Sequence, residues 1–186
     1  IKEAAQVISQ YCDILGIRAF PSLKNREKDE SEMVINSFRK YASIPVLNME
    51  SSLSHPLQAL ADIITIEENK KKTNPKIVLS WAPHPRALPH AVPNSFVKAM
   101  QLKQADFIIT HPEGYELDPK ITNGCQIEYD QEKALKNADY VYVKNLSNYK
   151  DYVKVINKYK NLIMTQKKLV DAKFMHCLHV RSNVFV

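Results

Sequence analysis

The stretch that decides the fold is residues 76–110, KIVLSWAPHPRALPHAVPNSFVKAMQLKQADFIIT. Its two ends, 76–81 and 106–110, are short and apolar, which predicts two buried strands. Residues 93–101, between them, follow helical periodicity. A strand, a helix and a second strand in this order are typical of a parallel sheet with helices on both faces. Residues 76–110 therefore predict an α/β fold.

The same alternation continues in both directions along the chain. Further strands are predicted at 13–20, 45–49, 140–144 and 173–178. Further helices are predicted at 4–11, 34–41, 131–137 and 161–170, and the best defined one begins at Pro56 in its first turn. Two of these helices have a predicted apolar face, formed by Ala4, Val7, Ile8 and Tyr11 in one and by Leu57, Leu60, Ala61 and Ile64 in the other. We expect two lobes of parallel β-sheet flanked by helices, divided into residues 1–50 and 51–186.

The composition excludes several classes of site. The chain has 186 residues, only three glycines, three widely spaced cysteines and a net charge of +6. It lacks a glycine-rich phosphate loop, a CxxC pair and any Cys/His ligand spacing, so we expect no cofactor and no metal. The lysines are dispersed apart from Lys70, Lys71 and Lys72, and we expect no nucleic-acid partner. No apolar run is long enough for a membrane span, and a cytoplasmic location is expected.

Candidate site residues follow the predicted strands, because parallel sheets bind ligands at the carboxyl ends of their strands. Arg18 lies near the end of the first strand, and His55 and Gln58 begin the best defined helix. Each has a purely structural alternative: an ion pair for Arg18, and at His55–Gln58 a helix cap in which Gln58 reaches back to the helix start. Cys177 beside two histidines could be a nucleophile or a small buried hydrophobic residue. The proline-rich loop 81–89 could position a substrate or simply cross the surface.

Taken in order, these clusters resemble the aspartate/ornithine carbamoyltransferase family. HPLQALAD at 55–62 is similar to the family signature HPxQxxAD, and HCLHVR at 176–181 is similar to HCLPxR. YCDILGIRAF at 11–20 resembles the strand whose arginine binds carbamoyl phosphate. WAPHPRALPHAVPNSF, THPEGYELDP and EYDQ resemble the branch that acts on N-acetyl- or N-succinyl-L-ornithine. The resemblance covers essentially the whole chain.

The resemblance implies a cofactor-free transfer of a carbamoyl group from carbamoyl phosphate to the δ-amine of an N-acylornithine, in arginine biosynthesis. Arg18 and His55 would donate hydrogen bonds to the carbonyl oxygen as negative charge develops on it. Gln58 and the backbone carbonyls around Cys177 and Leu178 would accept from the carbamoyl NH2 group. Cys177 would form a wall beside the reacting amine. The remaining substrate-binding positions implied by the resemblance are Glu50, His84, Lys144 and Arg181.

The sequence also departs from the family pattern. His179 stands where the family has the proline of HCLP. The family's Ser-Thr-Arg-Thr phosphate-binding motif and its closing C-terminal helix are absent from these 186 residues. The resemblance therefore implies a partial carbamoyl-phosphate domain in 1–50. It also implies an interdomain helix with a C-terminally incomplete ornithine domain in 51–186. Family members are homotrimers, and the chain alone is expected to be inactive.

Three functions remain open at this level. The first is an N-acylornithine carbamoyltransferase with N-succinyl- or N-acetyl-L-ornithine as the acceptor. The second is a non-catalytic relative that has a binding or assembly role, which the missing motif and His179 favour. The third is a generic nucleotide-binding α/β module, which strand–helix alternation alone would permit and the lack of a glycine loop opposes.

Overall fold

The computed structural model describes residues 1–84, 86–145, 147–148, 151–152, 154, 159 and 162–177. In these residues the helices are Lys2–Ile8 (α1), Arg26–Glu30 (α2), Met33–Tyr41 (α3), Pro56–Asn69 (α4), Ala91–Lys103 (α5), Pro119–Thr122 (α6), Gln131–Leu135 (α7) and Gln166–Leu169 (α8). The strands are Leu15–Arg18 (β1), Val46–Glu50 (β2), Lys76–Trp81 (β3), Asp106–Thr110 (β4), Gln126–Ile127 (β5), Tyr140–Lys144 (β6) and Lys173–Met175 (β7). The predicted α/β class is confirmed.

All strand pairs among the described residues are parallel. β1 pairs with β2 in a two-stranded sheet, and the second sheet has five strands in the order β5-β4-β3-β6-β7. The central strand β3 has five buried residues out of six, as expected for a strand covered on both faces. Because the strands are parallel, their carboxyl ends lie at one edge of each sheet.

The core of the larger sheet is divided between its two faces. Alternate residues of β3 point to opposite sides. Ile77 and Leu79 pack with α4 and α5 on one face, and Val78 packs with α7 on the other. Across the first face, Phe96 of α5 stacks on Tyr142 of β6 with ring centroids 4.3 Å apart. These contacts hold α5 directly behind the strand ends that carry the site.

Helix α4 connects the two sheets. It contacts both β2 and α5, and the backbone N–H of His55 at its start donates to Ser95 Oγ of α5 at 2.7 Å. Just before α4, Asn94 Nδ2 donates to the carbonyl oxygen of Leu53 at 3.2 Å. These bonds fix the start of α4 relative to the larger sheet.

The predicted apolar faces of two helices are wrong. In α4 the buried residues are Ala59, Asp62 and Ile66, whereas Leu60 is 53% exposed and Ile64 is 47% exposed. The packing of α4 against α5 and β2 selects a stripe rotated from the most apolar one.

In α1, Ala5 is buried while Val7 and Ile8 are exposed, and Tyr11 is exposed beyond the end of the helix. Small residues face α3 because they permit a close approach of the two helices. Ser9 supports that contact, since its Oγ accepts the backbone N–H of Ser43 at 3.2 Å.

The remaining differences concern short elements and boundaries. The sequence did not predict α2, α6 or β5, which have two to five residues each. The last helix was predicted at 161–170 and forms only at Gln166–Leu169. The last strand was predicted at 173–178 and forms at Lys173–Met175, with residue 178 outside the described residues. The division into 1–50 and 51–186 stays a prediction. Within the described residues, no helix is long and apolar enough to span a bilayer.

Candidate active site

The predicted site residues that the structure describes gather at the carboxyl ends of strands and at the start of α4. Arg18 and Glu50 end β1 and β2, and they are partners in the strand register. Lys144 ends β6, and Cys177 follows β7 by two residues. Leu178 and Arg181 lie outside the described residues, so their predicted roles stay predictions.

An acid–base cluster joins β1, β2 and α4. The Arg18 guanidinium donates to Glu50 Oε2 through Nε at 2.9 Å, and its second nitrogen approaches the same oxygen at 2.8 Å. His55 Nε2 lies 3.5 Å from that same oxygen. Glu50 is 7% exposed, whereas 56% of the Arg18 side chain is exposed. The buried carboxylate therefore holds Arg18 and lies close to His55, and both of these groups can donate hydrogen bonds to a ligand.

The helix cap is formed by the His55 ring and not by the Gln58 side chain predicted to reach back, and this cap determines the tautomer of His55. His55 Nδ1 accepts the backbone N–H of Gln58 at 3.3 Å, so the proton of the neutral ring lies on Nε2. Burial lowers the pKa of His55 below its ordinary value, and the Glu50 carboxylate opposes that shift. The ring is therefore neutral near pH 7 and offers one donor, Nε2–H, on the side of Glu50. Capping and ligand binding use different nitrogens and are compatible.

A second polar group continues along α4. Gln58 Nε2 donates to Asp62 Oδ1 at 3.0 Å, one helical turn further on. The Tyr142 hydroxyl lies next to both Asp62 and Cys177. The pKa of this tyrosine is raised, mainly by burial and to a smaller extent by these two neighbours. Cys177 is 8% exposed and lies in the apolar core cluster, which supports the wall rather than the nucleophile interpretation.

Lys144 lies within electrostatic range of two imidazoles, those of His176 and His55. Burial lowers the pKa of His176, the Val143 carbonyl opposes this shift, and the charges of Lys144 and His84 lower the pKa further. Lys144 also lowers the pKa of His55. His176 Nδ1 donates to the Val143 carbonyl oxygen at 2.5 Å, since a carbonyl can only accept. One ammonium group therefore lies within electrostatic range of both α4 and β7.

The loop after β3 places His84 within electrostatic range of His176. Its Nδ1 lies 2.8 Å from the carbonyl oxygen of Arg86 and 3.1 Å from the backbone nitrogen of the same residue, so the loop itself orients the ring. Trp81, the last residue of β3, is 2% exposed, and its ring centroid is 4.7 Å from that of Tyr115. Aromatic packing between Trp81 and Tyr115 therefore covers the end of β3.

Sequence reasoning missed three supporting residues. Ser95 holds the backbone of His55, Asp62 holds the Gln58 amide, and Tyr142 adjoins Asp62. The spacing of Gln58 and Asp62, four residues apart on one helix, could have indicated their contact. Ser95 and Tyr142 carry no such signal, because their positions depend on how α5 and β6 pack against α4.

One concave region lies beside the candidate site residues, and another lies away from them. A cavity of about 350 Å³ opens beside Gln58, Asp62 and His176. A groove of about 630 Å³ lies between α7 and α8 and contains none of the predicted site residues. Among the described residues, no group of three or more His, Cys, Asp or Glu side chains could hold a metal ion. Size alone therefore does not locate the chemistry.

Comparison with known proteins links the first part of the chain to one family. The family model described as "Aspartate/ornithine carbamoyltransferase, carbamoyl-P binding domain" matches residues 1–68. The match includes Arg18, Glu50, His55 and Gln58 and extends into α4.

Similar proteins extend the likeness to nearly the whole chain. An N-succinylornithine carbamoyltransferase of Bacteroides fragilis (strain 638R) is 48% identical over 99% of this chain and 59% of the relative. An N-acetylornithine carbamoyltransferase of Xylella fastidiosa (strain Temecula1) is 32% identical over 99% of this chain and 62% of that relative. The chain thus spans about three fifths of the length of these curated relatives.

A solved structure agrees with the fold. A mutant of N-acetyl-L-ornithine transcarbamylase complexed with carbamyl phosphate and N-succinyl-L-norvaline superposes with a TM-score of 0.91. It is 30% identical, and the match covers 99% of this chain and 62% of that one. The parallel sheets and their connections are therefore shared with a transcarbamylase.

Proposed function

Because the chain belongs to the aspartate/ornithine carbamoyltransferase family, we propose that it is part of an enzyme that carbamoylates the δ-amine of N-succinyl-L-ornithine. The acceptor is chosen on similarity, since identity to the N-succinylornithine relative is 48% and to the N-acetylornithine relative 32%. A step in arginine biosynthesis is the corresponding role. The proposal concerns the protein that contains this chain, because these 186 residues lack the Ser-Thr-Arg-Thr motif.

The observation that supports this proposal best is the cluster of Arg18, Glu50 and His55. In carbamoyl transfer the uncharged δ-nitrogen attacks the carbonyl carbon of carbamoyl phosphate, and negative charge develops on the carbonyl oxygen. Arg18 is held by Glu50 Oε2 at 2.8 Å, and His55 Nε2 lies 3.5 Å from the same oxygen, so the two donors lie close together. Fixed donors of this kind stabilise an oxyanion without reorganising during the reaction.

The remaining steps require positioning more than acid–base chemistry. As the new C–N bond forms, the C–O bond to phosphate breaks. The attacking nitrogen loses one proton, and the departing phosphate accepts it. Gln58 would accept from the carbamoyl NH2 group through its amide oxygen, together with the backbone carbonyls of Cys177 and Leu178. Holding both reactants in line supplies much of the rate enhancement in such reactions. No cofactor is needed.

The acylornithine would lie among Glu50, His84, Lys144 and Arg181. Lys144 is suited to a carboxylate of the acceptor, because an ammonium and a carboxylate form a charge-assisted hydrogen bond. Glu50 is contacted by Arg18 and His55 through Oε2, and the proposal assigns Oε1 to an N–H of the acceptor. Arg181 would add a second cation.

The test is formation of the ureido product from carbamoyl phosphate, using the protein as its gene encodes it. We expect product with N-succinyl-L-ornithine, less with N-acetyl-L-ornithine, and almost none with ornithine or aspartate. Preference for ornithine or aspartate would refute the choice of branch. Absence of product from folded protein with every acceptor would favour the non-catalytic relative that binds without transferring.

Assembly and location belong to the same proposal. We infer a homotrimer in the cytoplasm, and the support is the family resemblance. Light scattering on the preparation used for the assay should yield three times the subunit mass. A monomeric mass together with full activity would refute the trimer.

A further inference from the structure

Gln58 and Asp62 form a side-chain pair inside the fold. They lie one turn apart on α4, and Gln58 Nε2 donates to Asp62 Oδ1 at 3.0 Å. Asp62 is 5% exposed and occupies the buried stripe of α4 between Ala59 and Ile66. An apolar residue would suit this position better, because an ionised carboxyl group is costly to bury.

The chemistry of the pair fixes an orientation that an amide alone leaves open. The two ends of a glutamine amide are nearly equal in shape but opposite in hydrogen bonding. An ionised carboxylate can only accept, so it binds the NH2 end of Gln58. The amide oxygen must then point away from Asp62.

We propose that Asp62 is a positioning residue, which orients the Gln58 amide so that its oxygen faces the carbamoyl NH2 group. This inference rests on the proposed function, in which Gln58 accepts from that group. Asp62 itself does not touch the substrate. It acts by excluding the flipped orientation of the Gln58 amide, in which the NH2 end of Gln58 would face the NH2 group of the substrate and no hydrogen bond could form.

The groups around the Asp62 carboxyl favour its ionised form and so oppose the effect of burial. Burial raises the pKa of Asp62 to about 6, and the hydrogen bond from Gln58 and the nearby Tyr142 hydroxyl oppose the rise. The titratable groups that face it are Tyr142 from β6, Cys177 after β7, and His176 across the 350 Å³ cavity. Asp62 is therefore mostly ionised at pH 8 and mostly protonated at pH 5.

The experiment compares wild-type protein with Asp62→Asn, each as the gene encodes it, in the ureido assay. Asparagine has the same shape but can pair with either end of the Gln58 amide. At pH 8 we expect kcat/KM to fall about tenfold, the effect of one charge-assisted hydrogen bond. The thermal midpoint should rise, because a buried charge is removed.

Glu67→Gln is the matched control. This exposed carboxylate lies on the same helix and pairs with Lys70 and Lys103, and its replacement should leave kcat/KM unchanged.

The pH profile separates positioning from a general structural role. Below pH 6 the protonated Asp62 can also donate a hydrogen bond. It then no longer favours one orientation of the Gln58 amide, and wild-type protein behaves like the variant. The ratio of wild-type to Asp62→Asn kcat/KM should fall from about tenfold at pH 8 toward one at pH 5. Equal activity at pH 8 would overturn the proposal. So would a loss of activity that is independent of pH and accompanied by a lower thermal midpoint.

A second measurement does not depend on catalysis. The Gln58 side-chain NH2 resonances, identified by their loss in Gln58→Met, should titrate with a midpoint near that of Asp62, about pH 6. In Asp62→Asn this titration should disappear. If wild-type protein forms no product, the proposed function fails, and these resonances still decide the contact. Resonances that do not titrate in wild-type protein would overturn the inference whatever the activity.

Discussion

At the scale of single residues, Glu50 organises the candidate site. The resemblance to a known family placed it among the substrate-binding positions, but its contacts with Arg18 and His55 came only from the structure. The register of β1 and β2 brings residues 18 and 50 together, although they are 32 positions apart. The alternative of a structural ion pair at Arg18 is thus realised, and it is compatible with a ligand because much of the guanidinium remains exposed.

Replacing Glu50 by Gln should weaken both donors. We expect kcat/KM to fall about tenfold or more, and the free energy of unfolding to fall by about 1 kcal/mol, as for a charge-assisted hydrogen bond. The pKa of His55 should fall further, because Glu50 is the group that raises it. The ureido assay, urea unfolding and histidine NMR measure these effects.

The control for this prediction is Glu30→Gln. Glu30 also pairs with an arginine, Arg26, but on the surface of α2 at an i, i+4 spacing. Exposed pairs of this kind contribute about 0.5 kcal/mol or less. An equal loss of stability in both variants would contradict the special role of the buried carboxylate.

At the scale of elements, α4 shows what a helical pattern can and cannot specify. Its start was predicted from Pro56 and the cap, and the structure begins the helix there. Its buried face was predicted two positions away from the observed one. A helix with apolar residues on several sides does not define its own orientation, and contacts with α5 and β2 select Asp62 as a buried residue instead of Leu60.

The two roles of His55 at this helix start can be separated by paired substitutions. His55→Ala removes both the cap and the Nε2–H donor. His55→Asn keeps a capping side chain, but its shorter amide places no donor at the Nε2 position. Both variants should lose about 100-fold in kcat, the effect of one oxyanion donor. The alanine variant should be about 1 kcal/mol less stable than the asparagine variant. Equal stability would show that the 3.3 Å bond to the Gln58 N–H does not cap the helix.

At the scale of the whole molecule, three partly buried imidazoles link the stability of the fold to pH. Burial lowers the pKa of His55, His90 and His176. The unfolded chain then binds more protons than the folded one just below pH 6.5, so this contribution is complete above pH 6.5 and is lost as pH falls. Asp62 acts in the opposite direction, since its pKa is raised and the folded state gains stability between pH 6 and pH 4.

We therefore expect the urea midpoint to be higher at pH 7.5 than at pH 6. As the pH falls over this range, the stabilising contribution of all three histidines decreases. This outweighs the gain from Asp62, which is about half protonated at pH 6. His90→Gln, remote from the reacting groups and bonded to Ser147 in the native chain, should flatten the dependence. A midpoint that rises as the pH falls to 6 would contradict the assignment of neutral buried histidines.

The sequence by itself determined the α/β class, the order of the main strands and helices, and the candidates Arg18, His55, Gln58 and Cys177. These follow from local periodicity, from strand ends and from motifs, which are properties of neighbouring residues. Only the tertiary structure decided which face of α4 is buried, that Arg18 and His55 share one oxygen of Glu50, and that Asp62 faces Gln58 and Tyr142. Those contacts join residues from different elements. Their geometry depends on strand register and helix packing, which no single stretch of sequence encodes.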